Sequence, residues 1–326
     1  MQRVAKRRMA DLRAVVTDYL GMTLALVGLI VYFGIRAENF FTLTTFRTIA
    51  NQVPDITIVA VGMTYVLIIA GIDLSVGSVM ALAGAVLGRC LVEFNFPLPV
   101  AIAACLAVGI LCGAANGLVV IRWKLPPFIV TLGMLEIARG AAYRVTNSRT
   151  IYIGGPVEVV TDTSILGLSL PFIIAVVIVV AGQLVLSRTV FGRYLIAIGT
   201  NEEAVRLSGI DPAPLKLLVF VLCGFLTSLA AVTHTARLSS ANPNAGNGLE
   251  LQAIAAVVIG GTSLMGGRGS VVSSFFGVLI IAVLVTGLAH VGAQESTKRL
   301  ITGSVIVAAV IMDHYRHRIQ KGGRQV

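Results

Sequence analysis

Long apolar segments recur along the whole chain and are separated by short stretches rich in Gly, Pro and charged residues. A helix that crosses the hydrocarbon core of a bilayer needs about 20 mainly apolar residues, and most of the segments are close to that length. The pattern therefore predicts an all-α polytopic membrane protein with about ten transmembrane helices. The predicted spans are residues 19–35, 56–70, 76–92, 98–121, 128–145, 165–186, 215–236, 251–264, 271–291 and 300–312.

Composition supports this fold class. Of the 326 residues, 56% are apolar and 12% are charged, and the mean hydropathy is +0.92. Soluble domains carry about 25% charged residues, so this chain lacks the polar surface that a water-exposed fold needs. High hydrophobicity also excludes intrinsic disorder.

The distribution of basic residues predicts the orientation. The net charge is +10, and 16 of the 25 lysines and arginines lie on one side of the membrane if the N-terminus is cytoplasmic. Cytoplasmic loops are enriched in Lys and Arg, so we expect both termini inside and an even number of crossings. The predicted organisation is a basic cytoplasmic arm (1–18), a transmembrane domain (19–313) and a basic cytoplasmic tail (314–326). The charge excess gives no reason to expect a nucleic acid partner.

The longest cytoplasmic connection, residues 187–214, contains a predicted short helix. Thr200 and Glu203 have the spacing of a capping box, in which each side chain satisfies a free backbone amide of the other residue. Gly209 suits the left-handed conformation that ends a helix, and Pro212 prevents continuation. The helix is either a capped linker or a projection that inserts into a partner.

Two Gly-rich stretches, residues 71–78 and 260–270, interrupt the apolar pattern at corresponding points. Paired interruptions of this kind are typical of transporters with internal repeats, and the sequence leaves a repeat open. The second stretch lacks the GK[ST] ending of a phosphate-binding loop, so nucleotide binding by this chain is not expected.

A few charged residues are predicted at membrane depth, where such residues are usually functional or paired. Asp73 either caps the helix that begins near residue 75 or faces a pathway. Glu136 and Arg139 are three residues apart, which predicts an ion pair within one helix. Asp73 and Glu136 are the two carboxylates that this pattern places inside the membrane.

Small residues form a stripe along the fourth span. Gly109, Gly113 and Gly117 are spaced four apart, which favours close packing of two helix backbones. Asn116 lies beside this stripe and supplies an interhelical hydrogen bond or faces a polar lumen. The chain lacks the metal-ligand and nucleophile motifs of enzymes, so we expect no catalytic residue and no bound metal.

Several motifs, taken in order, resemble the permease subunits of ribose-type ATP-binding-cassette importers. The resemblance extends from about residue 19 to residue 313. The motifs are residues 60–64 (AVGMT), 71–78 (GIDLSVGS), 191–193 (FGR), 197–199 with Asn201, 204–210, 242–246 (NPNAG), 254–263 (IAAVVIGGTS) and 266–267 (GG).

The resemblance implies a function. It implies that the chain passes a monosaccharide, or a similar small polar solute, from a periplasmic or extracellular binding protein into the cytoplasm of a bacterium. The implied partners are the lipid bilayer of the plasma membrane, a second permease subunit and ATP-binding subunits. ATP and Mg²⁺ would be bound by the ATP-binding subunits, and this chain would bind no cofactor.

The resemblance also implies roles for individual residues. The coupling of this chain to the ATP-binding subunits is assigned to Asn201, Glu202, Glu203, Ala204, Ser208 and Gly209. Asn, Gln, Ser and Asp side chains can hydrogen-bond sugar hydroxyls in an apolar channel. On that basis, the candidates for lining the translocation pathway are Asp73, Ser75, Asn116 and Gln252.

The sequence departs from the family pattern at the charged outer loop 294–299 and at Leu249 and Gln252, where an aromatic residue and an acid are common. These departures leave the transported solute open. The main alternative is an ion-coupled secondary transporter of small polar solutes, which would use carboxylates inside the membrane.

Overall fold

The computed structural model describes residues 2–162, 164–165 and 168–322, and describes the side chains of residues 19–160 and 168–311 except 306 and 309. Within these residues it contains twelve helices and four two-residue strands. The helices are α1 (Gln2–Arg36), α2 (Leu43–Ile68), α3 (Val76–Val92), α4 (Leu98–Trp123), α5 (Pro127–Val145), α6 (Gly155–Asp162), α7 (Leu170–Arg188), α8 (Val190–Leu207), α9 (Ala213–Leu238), α10 (Leu249–Ile259), α11 (Val271–His290) and α12 (Glu295–Gly322). The strands are β1 (Ile151–Tyr152), β2 (Ser164–Ile165), β3 (Leu168–Ser169) and β4 (Ser240–Ala241), paired antiparallel as β1–β4 and β2–β3.

Each of the ten predicted spans overlaps one of these helices. Six helical segments in the described part of the chain are long and apolar enough to cross a membrane: residues 19–36 of α1, and α2, α4, α7, α9 and α11. The helices α3 and α10 are apolar but have only 17 and 11 residues. Thus the helical, multi-pass character of the chain is confirmed, whereas the count of ten remains a prediction.

Several boundaries differ from the prediction. The sixth predicted span begins at residue 165, but α7 begins at Leu170, because residues 164–165 and 168–169 pair as a short hairpin. The connection 187–214 is mostly helical, since α8 occupies Val190–Leu207. The predicted tail 314–326 has no separate fold in its described residues, because α12 continues to Gly322.

The core lies around α2, which is buried along most of its length and packs against α7, α9, α10 and α11. The helix α4 packs against α9 through the predicted stripe of small residues. A Cβ atom at Gly109 would clash with the carbonyl oxygen of Gly224, and one at Gly113 would clash with that of Phe220. The stripe therefore lets the two backbones approach closely, as predicted.

Candidate coupling and translocation sites

The coupling segment, residues 201–209, begins at a break within α8. Asn201 adopts an extended conformation with φ −162° and ψ 96°, and its Oδ1 accepts a hydrogen bond from Ala204 N at 3.0 Å. Thr200 remains in the preceding helical turn, where its hydroxyl donates to Ile196 O at 2.7 Å. The predicted capping box of Thr200 and Glu203 is therefore wrong, because the residue that leaves the helix and caps the next turn is Asn201.

The other end of the coupling segment has the predicted left-handed stop. Gly209 has a φ of +82°, and its amide donates to Arg206 O at 3.0 Å. The amide of Ser208 donates to Ala204 O at 3.1 Å, and its hydroxyl donates to the same carbonyl at 2.8 Å. The last carbonyls of the helix are thereby satisfied, so the segment is a short helix closed at both ends.

The two predicted glutamates of the coupling segment have different environments. Glu202 contacts Lys216 Nζ at 2.9 Å and Arg206 Nη2 at 3.3 Å, so it ties the segment to the first turn of α9. Glu203 is 3.8 Å from Arg206 and its side chain is exposed. Leu207, which was not among the predicted coupling residues, is 82% exposed at the tip. Its place at the end of α8, two residues before the predicted stop at Gly209, could have indicated from the sequence that it is exposed.

The turn of α8 directly before the coupling segment meets two other segments backbone to backbone. Gly267 donates its amide to Ile68 O at 2.9 Å, at the end of α2. A Cβ atom at Gly199 would clash with both Ile68 O and Gly267 N. Gly267 itself has a φ of +76°, a conformation that other residues adopt at a steric cost. The second Gly-rich stretch thus forms a tight turn against α8.

A charged cleft of about 430 Å³ lies beside the coupling segment. It separates the segment from the connection between α4 and α5. Its charged lining residues are Lys124, Glu202, Arg206, Asp211 and Lys216.

Three of the four predicted pathway residues lie together. Asp73 Oδ1 accepts hydrogen bonds from Ser75 N at 2.9 Å and from Ser75 Oγ at 2.6 Å, as a cap at the start of α3 would. Ser75 Oγ in turn accepts from Asn116 Nδ2 at 3.0 Å. All three residues are at most 2% exposed, and they pack with no water-sized space between them. The predicted cap is confirmed, and Asn116 makes an interhelical hydrogen bond.

Gln252, the fourth predicted residue, lines a different and open space. This polar cavity, of about 220 Å³, lies between α2, α3, α9 and the start of α10. Gln52, Asn247 and Gln252 are exposed at the cavity, and their amide groups have no hydrogen-bond partner in the described part of the chain. The lining residues are Gln52, Asp55, Ile56, Met80, His234, Arg237, Gly246, Asn247, Leu249 and Gln252.

A buried carboxylate organises one wall of the polar cavity. Asp55, which is 4% exposed, accepts hydrogen bonds from Thr233 Oγ1 at 2.9 Å and from Arg237 Nη2 at 2.8 Å. The Nδ1 atom of His234 lies 2.7 Å from Asp55 Oδ2. Charges at this depth are stabilised when they are paired and hydrogen-bonded, which this network provides.

This network was not predicted from the sequence. The predicted second span began at residue 56 and so placed Asp55 outside the membrane, whereas α2 begins at Leu43 and includes Asp55. The expectation that Asp73 and Glu136 are the two carboxylates at membrane depth remains a prediction, and it left out Asp55, a third carboxylate that is buried in α2. His234 and Arg237, spaced three apart in an apolar span, were the signal that a buried acid faces that helix.

Arg139 holds the loop that carries part of the cavity lining. Its guanidinium donates to Pro243 O and to Ala245 O, the latter at 2.9 Å. Glu136 is exposed and forms no ion pair within the described residues. The predicted Glu136–Arg139 pair is wrong, because two loop carbonyls offer Arg139 better buried acceptors than an exposed carboxylate does.

Comparison with known proteins assigns the chain to a family. Residues 45–310 match the family model described as the permease component of the branched-chain amino acid transport system. The chain belongs to this permease family. Six helical segments in the part of the chain that the structure describes are long and apolar enough to span a membrane, so the permease is a multi-pass membrane protein, and no solved structure matches it.

The permease is similar to several sugar permeases. It is 40% identical to the ribose import permease protein RbsC of Escherichia coli K12 over 305 residues, which cover 89% of this chain and 92% of that protein. It is 34% identical to the fructose import permease protein FrcC of Rhizobium meliloti, with 90% and 84% covered. It is 33% identical to the xylose transport system permease protein XylH of Escherichia coli K12, with 84% and 88% covered. The predicted resemblance to ribose-type permeases is thereby confirmed.

Proposed function

We propose that the chain is the membrane-spanning subunit of an ATP-driven importer that moves a monosaccharide into a bacterial cell across the plasma membrane. The observation that carries the proposal is the similarity, along nearly the whole chain, to permeases for ribose, fructose and xylose. The family description refers to branched-chain amino acids. A cavity lined by three amides, a carboxylate, an imidazole and a guanidinium favours a hydroxyl-rich solute over an apolar side chain.

The proposed topology has ten crossings, with the arm 1–18 and the tail 314–326 in the cytoplasm on either side of the transmembrane domain 19–313. The length of α9 supports opposite locations for the two sites. Lys216 contacts the coupling segment and Arg237 lines the polar cavity. The 21 residues between them correspond to about 32 Å of helix, close to the hydrocarbon thickness of about 30 Å.

The coupling segment is proposed to be the contact with an ATP-binding subunit. Asn201, Ser208 and Gly209 close the ends of the helix, Ala204 receives the cap, and Glu202 ties the helix to α9. These contacts make the segment a compact body that can transmit a partner's motion. Leu207 and Glu203 project outward and are the proposed docking side chains. ATP and Mg²⁺ are proposed to bind to the partner.

The translocation pathway is proposed to pass the polar cavity at Gln252 and then the cluster of Asp73, Ser75 and Asn116. In the present conformation the cluster is closed, so passage requires α3, α4 and α9 to separate. The other proposed partners are a second permease subunit and a periplasmic or extracellular sugar-binding protein.

The test is affinity purification of the tagged chain from its native membranes, followed by an ATPase assay of the eluate. Burying an exposed leucine at an interface contributes about 2 kcal/mol. We therefore expect L207E to lower the co-purified ATPase activity by roughly tenfold or more. The matched control is L238E, which alters an exposed leucine at the end of α9 that is far from the coupling segment and should leave the activity unchanged.

Two results would contradict the proposal. Equal losses in L207E and L238E would remove the coupling segment as the docking site. An eluate without ATPase activity, together with uptake driven by an ion gradient in vesicles, would replace the importer with an ion-coupled secondary transporter.

A further inference from the structure

We infer that the polar cavity is a binding site for a single monosaccharide on the side of the membrane opposite the coupling segment. The inference rests on the proposed function and adds to it the place where the monosaccharide binds. It stands on the donor and acceptor groups of the cavity, its size and its charge.

The hydrogen-bonding groups of the cavity match a sugar. A sugar hydroxyl both donates and accepts, so it needs acceptors and donors side by side. The amides of Gln52, Asn247 and Gln252 offer both and have no partner in the part of the chain that the structure describes. Arg237 is committed to Asp55 through Nη2, so the three amides are the groups that remain for a ligand.

Apolar side chains complete the lining. Ile56, Met80 and Leu249 face the same space as the polar groups. A pyranose or furanose ring has C–H faces as well as hydroxyl edges, so it suits a cavity with mixed walls. The volume of about 220 Å³ is below the range of about 300–1,000 Å³ for pockets of drug-sized ligands, and accordingly fits one small ring.

The charge balance selects a neutral solute. Asp55 and Arg237 neutralise each other at 2.8 Å, and Asp55 also engages His234 and Thr233. An amino acid would need an uncompensated anion for its ammonium group and a cation for its carboxylate. The side chains of the cavity offer neither, because its carboxylate and its guanidinium are committed to each other. The cavity is therefore built for an uncharged polyhydroxylated ligand.

Glycine contacts fix the loop that forms the cavity floor. A Cβ atom at Gly77, at the start of α3, would clash with Gly246 O. Gly246 has a φ of +68° and lines the cavity. With the two Arg139 hydrogen bonds, these contacts hold Asn247 in place, so the polar groups are preorganised, which lowers the entropic cost of binding.

The test measures protection of a cysteine by sugar. Gln252→Cys is introduced into a Cys112→Ala background, since Cys90, Cys105 and Cys223 are buried. The full importer in vesicles is labelled from outside with a membrane-impermeant thiosulfonate. D-ribose, D-fructose or D-xylose is present, or glycine at equal osmolality. Labelling should slow about tenfold at a sugar concentration of about ten times Kd, because only the empty site reacts.

The matched control is Gln294→Cys, an exposed glutamine in the loop between α11 and α12 that does not line the cavity. Protection of Gln252→Cys alone supports the inference. Equal labelling with and without each sugar, or equal slowing at both positions, overturns it. If Gln252→Cys does not assemble, Asn247→Cys is read in the same way.

Uptake of the same three sugars by the unsubstituted importer distinguishes failure of the binding-site inference from failure of the proposed function. Normal ATP-dependent uptake without protection overturns the binding site and leaves the proposed function standing. Absence of ATP-dependent uptake for every solute overturns the proposed function itself.

Discussion

Lys216 and Arg237 are held at opposite ends of α9 by two acids from other parts of the chain. Lys216 contacts Glu202 at 2.9 Å in the coupling segment, and Arg237 contacts Asp55 at 2.8 Å in the core. Both acids also bind a second basic residue, Arg206 and His234 respectively. One helix is thus fixed by ion pairs at both of its ends, and each pair can be tested separately.

Replacing Asp55 should destabilise the protein. Asp55→Asn keeps the size of the side chain but leaves His234 and Arg237 facing a neutral amide. Losing hydrogen bonds to a buried charged group should cost on the order of 2 kcal/mol of folding free energy. Thermal unfolding of the purified protein in detergent measures the effect. The matched control is Glu136→Gln, because Glu136 is exposed and makes no ion pair among the described residues, and the melting temperature of this variant should equal that of the wild type. A similar melting temperature for both variants would contradict the prediction.

Asn201 and Thr200 are adjacent but should respond differently to substitution by alanine. Asn201→Ala removes the cap on Ala204 N, and caps of this type contribute about 1 kcal/mol. We expect lower ATPase activity in the assembled importer and weaker stimulation by sugar, because the coupling segment frays. Thr200→Ala removes only a hydrogen bond to the preceding turn and should keep near-normal activity. A larger effect of Thr200→Ala than of Asn201→Ala would contradict this prediction and support the capping box of Thr200 and Glu203.

A methyl group at Gly199 should be incompatible with the observed packing. Gly199→Ala places a Cβ against Ile68 O and Gly267 N, which are backbone atoms that cannot rotate away. Overpacking of this kind costs roughly 3 kcal/mol, so we expect a large drop in melting temperature and in yield. Gly140→Ala, in α5, meets nothing within 4 Å and is the control. Equal stability of the two variants would show that α8 does not pack as described.

The loop 242–248 should become accessible when its anchor is removed. Arg139→Ala deletes the hydrogen bonds to Pro243 O and Ala245 O. We expect faster cleavage of this loop by an added protease, because local opening exposes its backbone. Arg144→Ala is a control on the same helix, at an exposed position whose side chain lies outside these contacts. Cleavage at the wild-type rate in Arg139→Ala would mean that other contacts hold the loop.

Periodicity and composition predicted the helices well, because each helix that crosses a bilayer needs a continuous apolar segment of about 20 residues, which is visible in the sequence. Local backbone rules predicted the Gly209 stop and the Asp73 cap for a similar reason, since both depend on neighbours in sequence. The Asp55 network depends on the meeting of α2 with α9, which a single sequence does not encode in its local pattern. Arg139 illustrates the same limit, since its acceptors are more than 100 residues away.

The junction of Gly199, Ile68 and Gly267 has a mechanical consequence. At most helix contacts, side chains separate the two backbones, and a small shift of one helix is accommodated by changes of side-chain rotamer. At this junction the backbones touch directly, so a displacement of the α8 turn that contains Gly199 passes to the end of α2 without any side-chain rearrangement. Asp55 lies 13 residues back along that helix, about 20 Å away. A displacement that reaches the end of α2 through this junction would therefore also shift Asp55 and the wall of the polar cavity to which Asp55 belongs.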